Sequence, residues 1–382
     1  MDIATLELFS DRPLELEGGR QIGPVTVRLE TWGPPDPAHV VLICHALTGD
    51  AHAARHHEDD VPGWWDFLIG PGKPIDTDRH WVICLNVLGG AAGTTGPSSP
   101  APDGTPWADR FPLVTVGDIV EVQKAALDAL GVTRMELAIG GSLGGMQALE
   151  WAWRFPDRVD AVGAVGAADC LAPMGVGLNA AQREAVRLGW EAGRVDEGLS
   201  VARMIAMLSY RSAAHFEGRF GRALQPGADR HAAPTETRFQ VESYLRYQGT
   251  KLARRFDPWS YIVLSRAMDL YELFTPGRTV SGSRADIHLA GLSDDWLFPA
   301  DQVRDLAERL RRGGGRSTYT HIVSDVGHDG FLVDLPALSR WVRGLFTTTR
   351  VVPASGRPRA TTAGPAAGIS GAPPPTSLST RP

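Results

Sequence analysis

Cysteine is scarce in this chain of 382 residues, and its three copies form no pattern. Cys44, Cys84 and Cys170 lie far apart and lack the Cys-x-x-Cys spacing of zinc or redox sites. Cys44 and Cys84 belong to apolar runs, so we expect them to be buried, reduced thiols. This usage argues against a disulfide-stabilised fold and fits a reducing compartment, the cytoplasm.

An excess of positive charge and long apolar runs are also missing. Lys and Arg number 38 against 44 Asp and Glu, which gives a net charge of -6, and the two signs are interleaved. This balance argues against a nucleic-acid partner. No stretch approaches the roughly 18 apolar residues of a membrane span. Residues 1–19 show neither the basic start nor the apolar run of a secretory signal, so we expect a cytoplasmic protein without a membrane segment.

Short β-branched runs alternate with segments of helical period in much of the chain. The predicted strands are residues 24–32, 39–44, 80–87, 135–139, 159–165, 286–290 and 318–323. The predicted helices are residues 115–130, 144–155 and 300–312. Such alternation predicts an α/β fold with a mostly parallel central sheet and helices on both faces.

The domain organisation follows from where this alternation stops. Residues 173–280 have mainly helical periodicity and are predicted to be a helical cap, or lid, inserted late in the sheet. Residues 1–172 and 281–349 are then the two parts of the α/β core. Residues 350–382 are rich in Pro, Gly, Ala, Ser and Thr and are predicted to be a disordered tail.

A glycine-rich turn, GGSLGG at residues 140–145, connects a predicted strand to a predicted helix. A G-x-S-x-G match in this context indicates a nucleophilic serine, here Ser142. The crowded turn strains the serine, and the flanking glycines supply the room it needs. Free N–H groups at the start of the helix can stabilise developing negative charge. The motif alone is equally compatible with a turn that a serine caps.

Two later strands end in the partners that such a serine needs. Asp294 and Asp295 follow one strand, and His328 follows the next, which gives the chain order serine, acid, histidine of α/β hydrolases. All would meet at the carboxyl edge of the sheet. We predict that His328 removes the Ser142 proton while one aspartate orients the imidazole.

An oxyanion hole requires two backbone donors, and we assign them to Leu143 and Leu47. Leu143 directly follows the nucleophile, and Leu47 lies in the loop after an early strand. His45, in that same loop, is predicted to be structural. His52, His56 and His57 lie in a polar loop without a companion set of ligands, so no metal is predicted.

Several longer strings narrow the class of enzyme. CHALTGDAH, GGSLGGMQALEW, SDDWLFP and GHDGFLVD, with others in order from about residue 5 to residue 345, resemble the homoserine O-acetyltransferase family. These enzymes belong to the α/β-hydrolase superfamily and make O-acetylhomoserine for methionine synthesis. The resemblance implies the α/β-hydrolase fold with an inserted cap and a homodimer built through cap helices.

The resemblance also implies roles for individual residues. Ser142 would accept the acetyl group of acetyl-CoA, His328 would be the base, and Asp295 the acid, because it matches the family's Asp-x-Leu-Phe/Tyr-Pro pattern. The substrate-binding residues would be Arg203 for the homoserine carboxylate, Asp329 for its ammonium group, and Tyr210 lining the pocket. Small molecules are then the only substrates, with acetyl-CoA as co-substrate and no bound cofactor.

Three departures from the family pattern keep alternatives open. Ala91 and Ala92 stand where the family usually has a cysteine, residues 182–203 look shorter than usual, and Leu143 replaces a common methionine. L-serine or a secondary-metabolite hydroxyl are therefore alternative acceptors. Succinyl-CoA is an alternative donor, although an apolar Leu297 favours acetyl. A simple ester hydrolase would use the same triad with water, and the intact triad argues against a non-catalytic scaffold.

Overall fold

The computed structural model describes residues 2–229, 231, 233, 235–236, 239–333 and 335–348. The predicted disordered tail, residues 350–382, lies outside the described residues. Among the described helices, none is long and apolar enough to cross a membrane.

An eight-stranded sheet lies at the centre of the fold. Its strands are β1 (Ile3–Leu8), β2 (Val25–Trp32), β3 (Val40–Cys44), β4 (Trp81–Leu85), β5 (Met135–Gly141), β6 (Val159–Val165), β7 (Asp286–Leu292) and β8 (Ser317–Ile322). Their order across the sheet is β1-β2-β4-β3-β5-β6-β7-β8. β2 pairs antiparallel with β1 and β4, and the other neighbours pair parallel. The predicted mostly parallel sheet is confirmed.

Nine α-helices are described along the chain. They are α1 (Val116–Ala129), α2 (Leu143–Arg154), α3 (Pro173–Glu191), α4 (Val195–Tyr210), α5 (Ala213–Phe220), α6 (Gln240–Ala253), α7 (Pro258–Leu270), α8 (Ala300–Arg312) and α9 (Pro336–Thr348). Short 3-10 helices span Ala108–Arg110, Val280–Gly282 and His328–Leu332. Two short strand pairs join Leu14–Glu15 to Gln21–Ile22 and Ile69–Gly70 to Ile75–Asp76.

Helices cover both faces of the sheet, as predicted, because the buried strands are apolar on both sides. In β3, Val40 and Leu42 belong to a core that also contains residues of α1, α2 and α8. Their neighbours Val41 and Ile43 belong to a second core, on which α9 packs. Side chains of a strand point alternately to its two faces, so a continuous apolar run requires such double cover.

The helices α3 to α7 lie between β6 and β7 in the chain. α3 packs against α4 and α7, and α4 packs against α6. Arg183 on α3 forms a buried ion pair with Asp269 on α7, with 2.5 Å between Nη2 and Oδ2. The helical character expected of this segment is observed, and its assignment as a cap over residues 173–280 stays a prediction.

Candidate active site

The turn after β5 holds Ser142 in a strained conformation. Its φ is 57° and its ψ is -127°, directly before the first residue of α2. A non-glycine residue rarely adopts a positive φ, and such strain costs roughly 1–3 kcal/mol and concentrates at functional sites. The Ser142 backbone N–H donates to the carbonyl of Val165 at 3.0 Å, which fixes the turn against the end of β6.

Close packing explains the glycines on either side of the serine. A Cβ at Gly144 would lie 2.0 Å from the carbonyl oxygen of Cys44, at the end of β3. A Cβ at Gly141 would lie 2.3 Å from the ring of Phe331, in the short helix that begins at His328. The turn therefore lies directly against the loop after β3 and against the segment that carries the histidine.

Asp295 and His328 form a buried pair. Asp295 Oδ2 lies 2.7 Å from His328 Nδ1, and the side chains are 0% and 3% exposed. Asp295 Oδ1 accepts hydrogen bonds from the N–H groups of Leu297 and Phe298, both at 2.9 Å. Asp294, the neighbouring carboxylate, is exposed and has a φ of 55°. Of the two aspartates, Asp295 is thus the one that contacts the histidine.

The serine turn and this pair meet at the carboxyl edge of the sheet. Gly166 follows Val165, which accepts the hydrogen bond from Ser142, and a Cβ at Gly166 would lie 3.2 Å from Asp295 Oδ2. The same point would be 3.4 Å from His328 Nδ1. The structure therefore brings Ser142, Asp295 and His328 close together at this edge, and their roles as a triad stay a prediction.

The surroundings of His328 favour its protonated form. Burial lowers the pKa of His328, but the charge and hydrogen bond of Asp295 and the charge of Asp329 outweigh it, so the pKa lies above its ordinary value. The rings of Phe298 and Phe331 lie near the imidazole, with centroids at 5.8 and 5.5 Å. An imidazole held in this way can accept a proton and keep it stably.

The backbone N–H groups of Leu47 and Leu143 have no hydrogen-bond partner within the described part of the chain. Both residues are buried, and unpaired buried donors are rare unless a ligand uses them. Gln147 joins the two segments, because its Nε2 donates to the carbonyl of His45 at 3.0 Å and to that of Leu143 at 3.2 Å. The pair of donors suits an oxyanion.

His45 has a structural role, as predicted. Its Nδ1 lies 2.8 Å from the carbonyl of Ala46, and its Nε2 accepts from the N–H of Val87 at 3.1 Å. Burial lowers the pKa of His45, although the Ala46 carbonyl and the charge of Asp50 oppose this. Both ring nitrogens are used, so the imidazole fixes the loop rather than moving protons.

The residues expected to bind the acceptor gather beside His328. The Arg203 guanidinium lies 5.2 Å from the ring centroid of Tyr210, on the same helix α4. The Tyr210 ring lies 5.7 Å from the His328 ring. Burial raises the pKa of Tyr210, partly offset by the charge of Arg203. Asp329 is 6% exposed and directly follows His328.

Sequence reasoning missed the partner of Asp329. Arg211, the residue after α4, places its Nη2 3.0 Å from Asp329 Oδ2. Its side chain is 19% exposed, so the pair is largely shielded from solvent. Only the fold shows the pairing, because the two residues lie on separate elements.

Sequence reasoning also missed a partner of the loop histidines. Glu30 on β2 lies 2.8 Å from His52 Nδ1 and 3.0 Å from His56 Nε2, through the same oxygen, Oε2. Glu30 is therefore a partner from outside the loop, and the absence of a metal site stays a prediction. His57, the third histidine of the loop, is exposed.

Comparison with known proteins agrees with this geometry. The profile of the family described as alpha/beta hydrolase fold matches residues 39–335. A homoserine O-acetyltransferase of Symbiobacterium thermophilum is 45% identical over 351 residues, covering 87% of this chain and 91% of that protein. Among solved structures, esterase E22 has a TM-score of 0.82 at 27% identity, covering 90% of this chain and 99% of that chain.

The solved structure of a homoserine O-acetyltransferase from Bacillus anthracis has a TM-score of 0.81 at 25% identity. It covers 90% of this chain and 98% of that chain. The fold, the strained serine turn and these likenesses agree. The chain belongs to the homoserine O-acetyltransferase family, within the α/β-hydrolase fold.

Proposed function

We propose that the chain transfers the acetyl group of acetyl-CoA to the hydroxyl of L-homoserine, a step of methionine biosynthesis. The observation that carries the proposal is the buried Asp295–His328 pair beside the strained Ser142 turn. The likeness to a named homoserine O-acetyltransferase over 87% of this chain supports the choice of substrates.

In the first half of the reaction, Ser142 Oγ attacks the thioester carbon of acetyl-CoA while His328 takes its proton. Asp295 orients the imidazole through Nδ1 and stabilises the imidazolium that forms. The negative charge on the carbonyl oxygen is stabilised by the free N–H groups of Leu47 and Leu143. His328 then returns the proton to the sulfur, and free coenzyme A leaves an acetyl ester on Ser142.

In the second half, the homoserine hydroxyl attacks the acetyl ester and His328 takes the hydroxyl proton. The new ester bond forms on homoserine as the bond to Ser142 breaks, and the proton returns to Ser142 Oγ. Arg203 would bind the carboxylate of the amino acid and Asp329 its ammonium group, with Tyr210 lining the pocket. A zwitterion needs one cation and one anion at such a site.

The helices between β6 and β7 are proposed to form the cap over this site, residues 173–280. Arg203 and Tyr210 reach the neighbourhood of His328 from this segment. Water must be excluded there, because an acyl-serine otherwise hydrolyses.

Exposed apolar side chains on the same helices support the predicted homodimer: Met174, Leu188, Trp190, Val201, Leu208, Tyr247 and Leu270. The homodimer and the cytoplasmic location both stay predictions.

Ester hydrolysis is a second candidate, because the structure of esterase E22 resembles 90% of this chain. The two activities differ in what attacks the acetyl-serine, an amino-acid hydroxyl or water. L-serine or a secondary-metabolite hydroxyl as acceptor, and succinyl-CoA as donor, would keep the same chemistry with other substrates.

One assay separates these candidates. The chain is mixed with acetyl-CoA or succinyl-CoA and with L-homoserine, L-serine or no acceptor, and both free thiol and acylated product are measured. We expect steady thiol release and O-acetylhomoserine only with acetyl-CoA and L-homoserine, and a single burst of thiol without acceptor. Equal steady release without acceptor would identify a hydrolase, and product from L-serine alone would overturn the acceptor.

Ser142→Ala is the control for the covalent step. Intact-protein mass spectrometry after acetyl-CoA treatment should show one added acetyl group in the wild type and none in the variant. Full acetylation of homoserine by Ser142→Ala would contradict the acetyl-serine intermediate.

A further inference from the structure

Away from the active site, three potential metal ligands converge. Glu30 on β2 offers a carboxylate oxygen, and His52 and His56 in the following loop each offer a ring nitrogen. These three atoms all lie within 4.8 Å of one another. The Glu30 side chain is 3% exposed and that of His56 is 11% exposed, so the group is largely shielded from water. A buried carboxylate of this kind requires a positive partner.

The hydrogen bonds of His52 sharpen this requirement. Its Nε2 lies 2.7 Å from the carbonyl of Val61, which can only accept, so Nε2 carries a proton. In the neutral imidazole the lone pair is then on Nδ1, facing Glu30 Oε2 at 2.8 Å. A lone pair and a carboxylate oxygen at that separation need a cation between them, either a proton or a metal ion.

The arrangement around His52 is typical of metal ligands. A ligating histidine almost always donates its other N–H to a carbonyl or carboxylate, which fixes the tautomer and the ring. The Val61 carbonyl does this for His52. His56 is fixed differently, because its ring stacks on Trp32 with centroids 5.0 Å apart and planes 6° apart. Both imidazoles are therefore oriented before any ion binds.

We propose that Glu30, His52 and His56 bind one divalent cation of the zinc class. Two imidazoles and one carboxylate suit Zn²⁺, with the fourth position left for water. At bond lengths of about 2.0–2.2 Å the ligand atoms stand roughly 3.3 Å apart in a tetrahedron. The two observed oxygen–nitrogen separations, 2.8 and 3.0 Å, need to widen by a few tenths of an ångström, and the two ring nitrogens lie within 4.8 Å of each other.

Arg28 already supplies part of this positive charge and opposes the ion. Its Nη2 lies 3.5 Å from Glu30 Oε1, so it contacts the oxygen that does not face the histidines. The Arg28 side chain is 44% exposed, and solvent weakens its repulsion of a cation. Asp60 acts in the opposite direction, with its Oδ2 3.9 Å from His52 Nε2. Asp60 thus offsets part of the positive charge of Arg28.

The site would join β2, which carries Glu30, to the loop after β3, which carries Leu47, His52 and His56. His52 is the fifth residue after Leu47, and Ala51 between them donates its N–H to Asn86 Oδ1 at 2.7 Å. A bound ion would hold residues 52–61 to the sheet and take no part in chemistry at Ser142. The inference is thus independent of the proposed acetyl transfer.

Zinc content of the full chain, prepared without a histidine tag, tests the proposal. The chelator-treated protein is dialysed against buffered Zn²⁺ and bound metal is measured by mass spectrometry. The variants are His56→Ala and, as matched control, His57→Ala, which removes the adjacent exposed histidine. We expect one zinc per chain for the wild type and His57→Ala, and an affinity at least about 100-fold weaker for His56→Ala. Equal binding by the two variants would overturn the site.

A second measurement avoids dependence on a variant that folds poorly. Co²⁺ replaces Zn²⁺ in the wild type, and its absorption spectrum reports the ligands. Four-coordinate nitrogen and oxygen ligation should give visible bands many times stronger than those of hydrated Co²⁺, without a thiolate band. A strong near-ultraviolet thiolate band would place the ion at a cysteine, and the weak spectrum of hydrated Co²⁺ alone would mean that a proton occupies the place; either result refutes the proposal.

Discussion

The sheet edge that carries Ser142 and the helical segment that carries Arg203 are positioned by different means. At the edge, backbone groups dominate: the N–H groups of Leu297 and Phe298 hold Asp295, and the turn of Ser142 is fixed to Val165. In the helical segment and at its border, charged side chains from distant elements pair instead, as Arg183 with Asp269 and Arg211 with Asp329.

This difference suggests that the two regions have separate roles in the proposed reaction. In the proposed reaction, residues of the sheet edge would act on the acyl group, which is common to every acceptor, whereas residues of the helical segment would contact only the acceptor. Changes at the edge should then slow both half-reactions, and changes in the segment should slow only the second. Four predictions test this separation, beginning with the one expected to have the largest effect.

Asp295→Asn should reduce kcat/KM for acetyl-CoA by about 10³- to 10⁴-fold, because the amide orients the wrong tautomer of His328. Asp294→Asn is the matched control, since Asp294 is exposed and asparagine tolerates its φ of 55°. We expect the control to stay within about threefold of the wild type. Thiol release from acetyl-CoA measures both, and comparable losses would remove Asp295 from the triad.

Arg203→Ala should raise the KM for homoserine on the order of 10²-fold, since a buried carboxylate would lose its charged partner. The burst of thiol from acetyl-CoA alone should be unchanged. Arg246→Ala on α6 is the control, because this arginine is exposed. If Arg203→Ala raised the KM for acetyl-CoA and the KM for homoserine equally, the sheet edge and the helical segment would not have separate roles.

Asp329→Asn tests the border between the regions through pH. The negative charge of Asp329 helps to raise the pKa of His328, and His328 acts as a base only when neutral. Activity is lost as pH falls through this pKa, so removing the charge should move the acidic limb of kcat/KM for acetyl-CoA to lower pH. Arg211→Ala removes the opposing charge and should move it to higher pH. Shifts of the same sign would refute this electrostatic account.

Leu143→Met should have the smallest effect, although the backbone N–H of this residue is proposed to stabilise the oxyanion. Its contribution would be the backbone N–H, which the substitution keeps, and the two side chains are similar in volume. Thiol release should stay within about threefold, and the free energy of unfolding should change by less than about 1.5 kcal/mol. A large loss of activity without loss of stability would mean that the side chain itself shapes the acyl site.

Much of the sheet was predictable because its strands are continuous apolar runs between turn residues. The run at residues 159–165 and the helix at residues 300–312 match β6 and α8 in both bounds. β1 was not predicted, since an edge strand that is only half-buried lacks such a run. α9 was also missed, although Leu338, Trp341, Val342 and Leu345 have the helical spacing that sequence reasoning could have used.

The residues of the site also include some that the sequence predicted and some that it did not. Ser142 and His328 follow predicted strands, and local geometry then brings them to one edge. Arg211 and Glu30 could not be found, because each acquires its partner from an element remote in sequence. Which charged residues meet depends on the packing of whole elements, and no local pattern encodes that.

Gly141 and Phe331 occupy what is effectively one space. The phenyl ring fills the position of a Cβ at residue 141, faces the His328 ring at 5.5 Å, and its residue's carbonyl accepts from Trp65 Nε1 at 2.8 Å. By itself, a larger residue at position 141 would clash with the Phe331 ring. By itself, a smaller residue at position 331 would leave a cavity beside the turn. Together the two changes compensate in volume, so evolution can alter this contact only through coupled substitutions, and homologues that differ at one of the two positions should differ at the other.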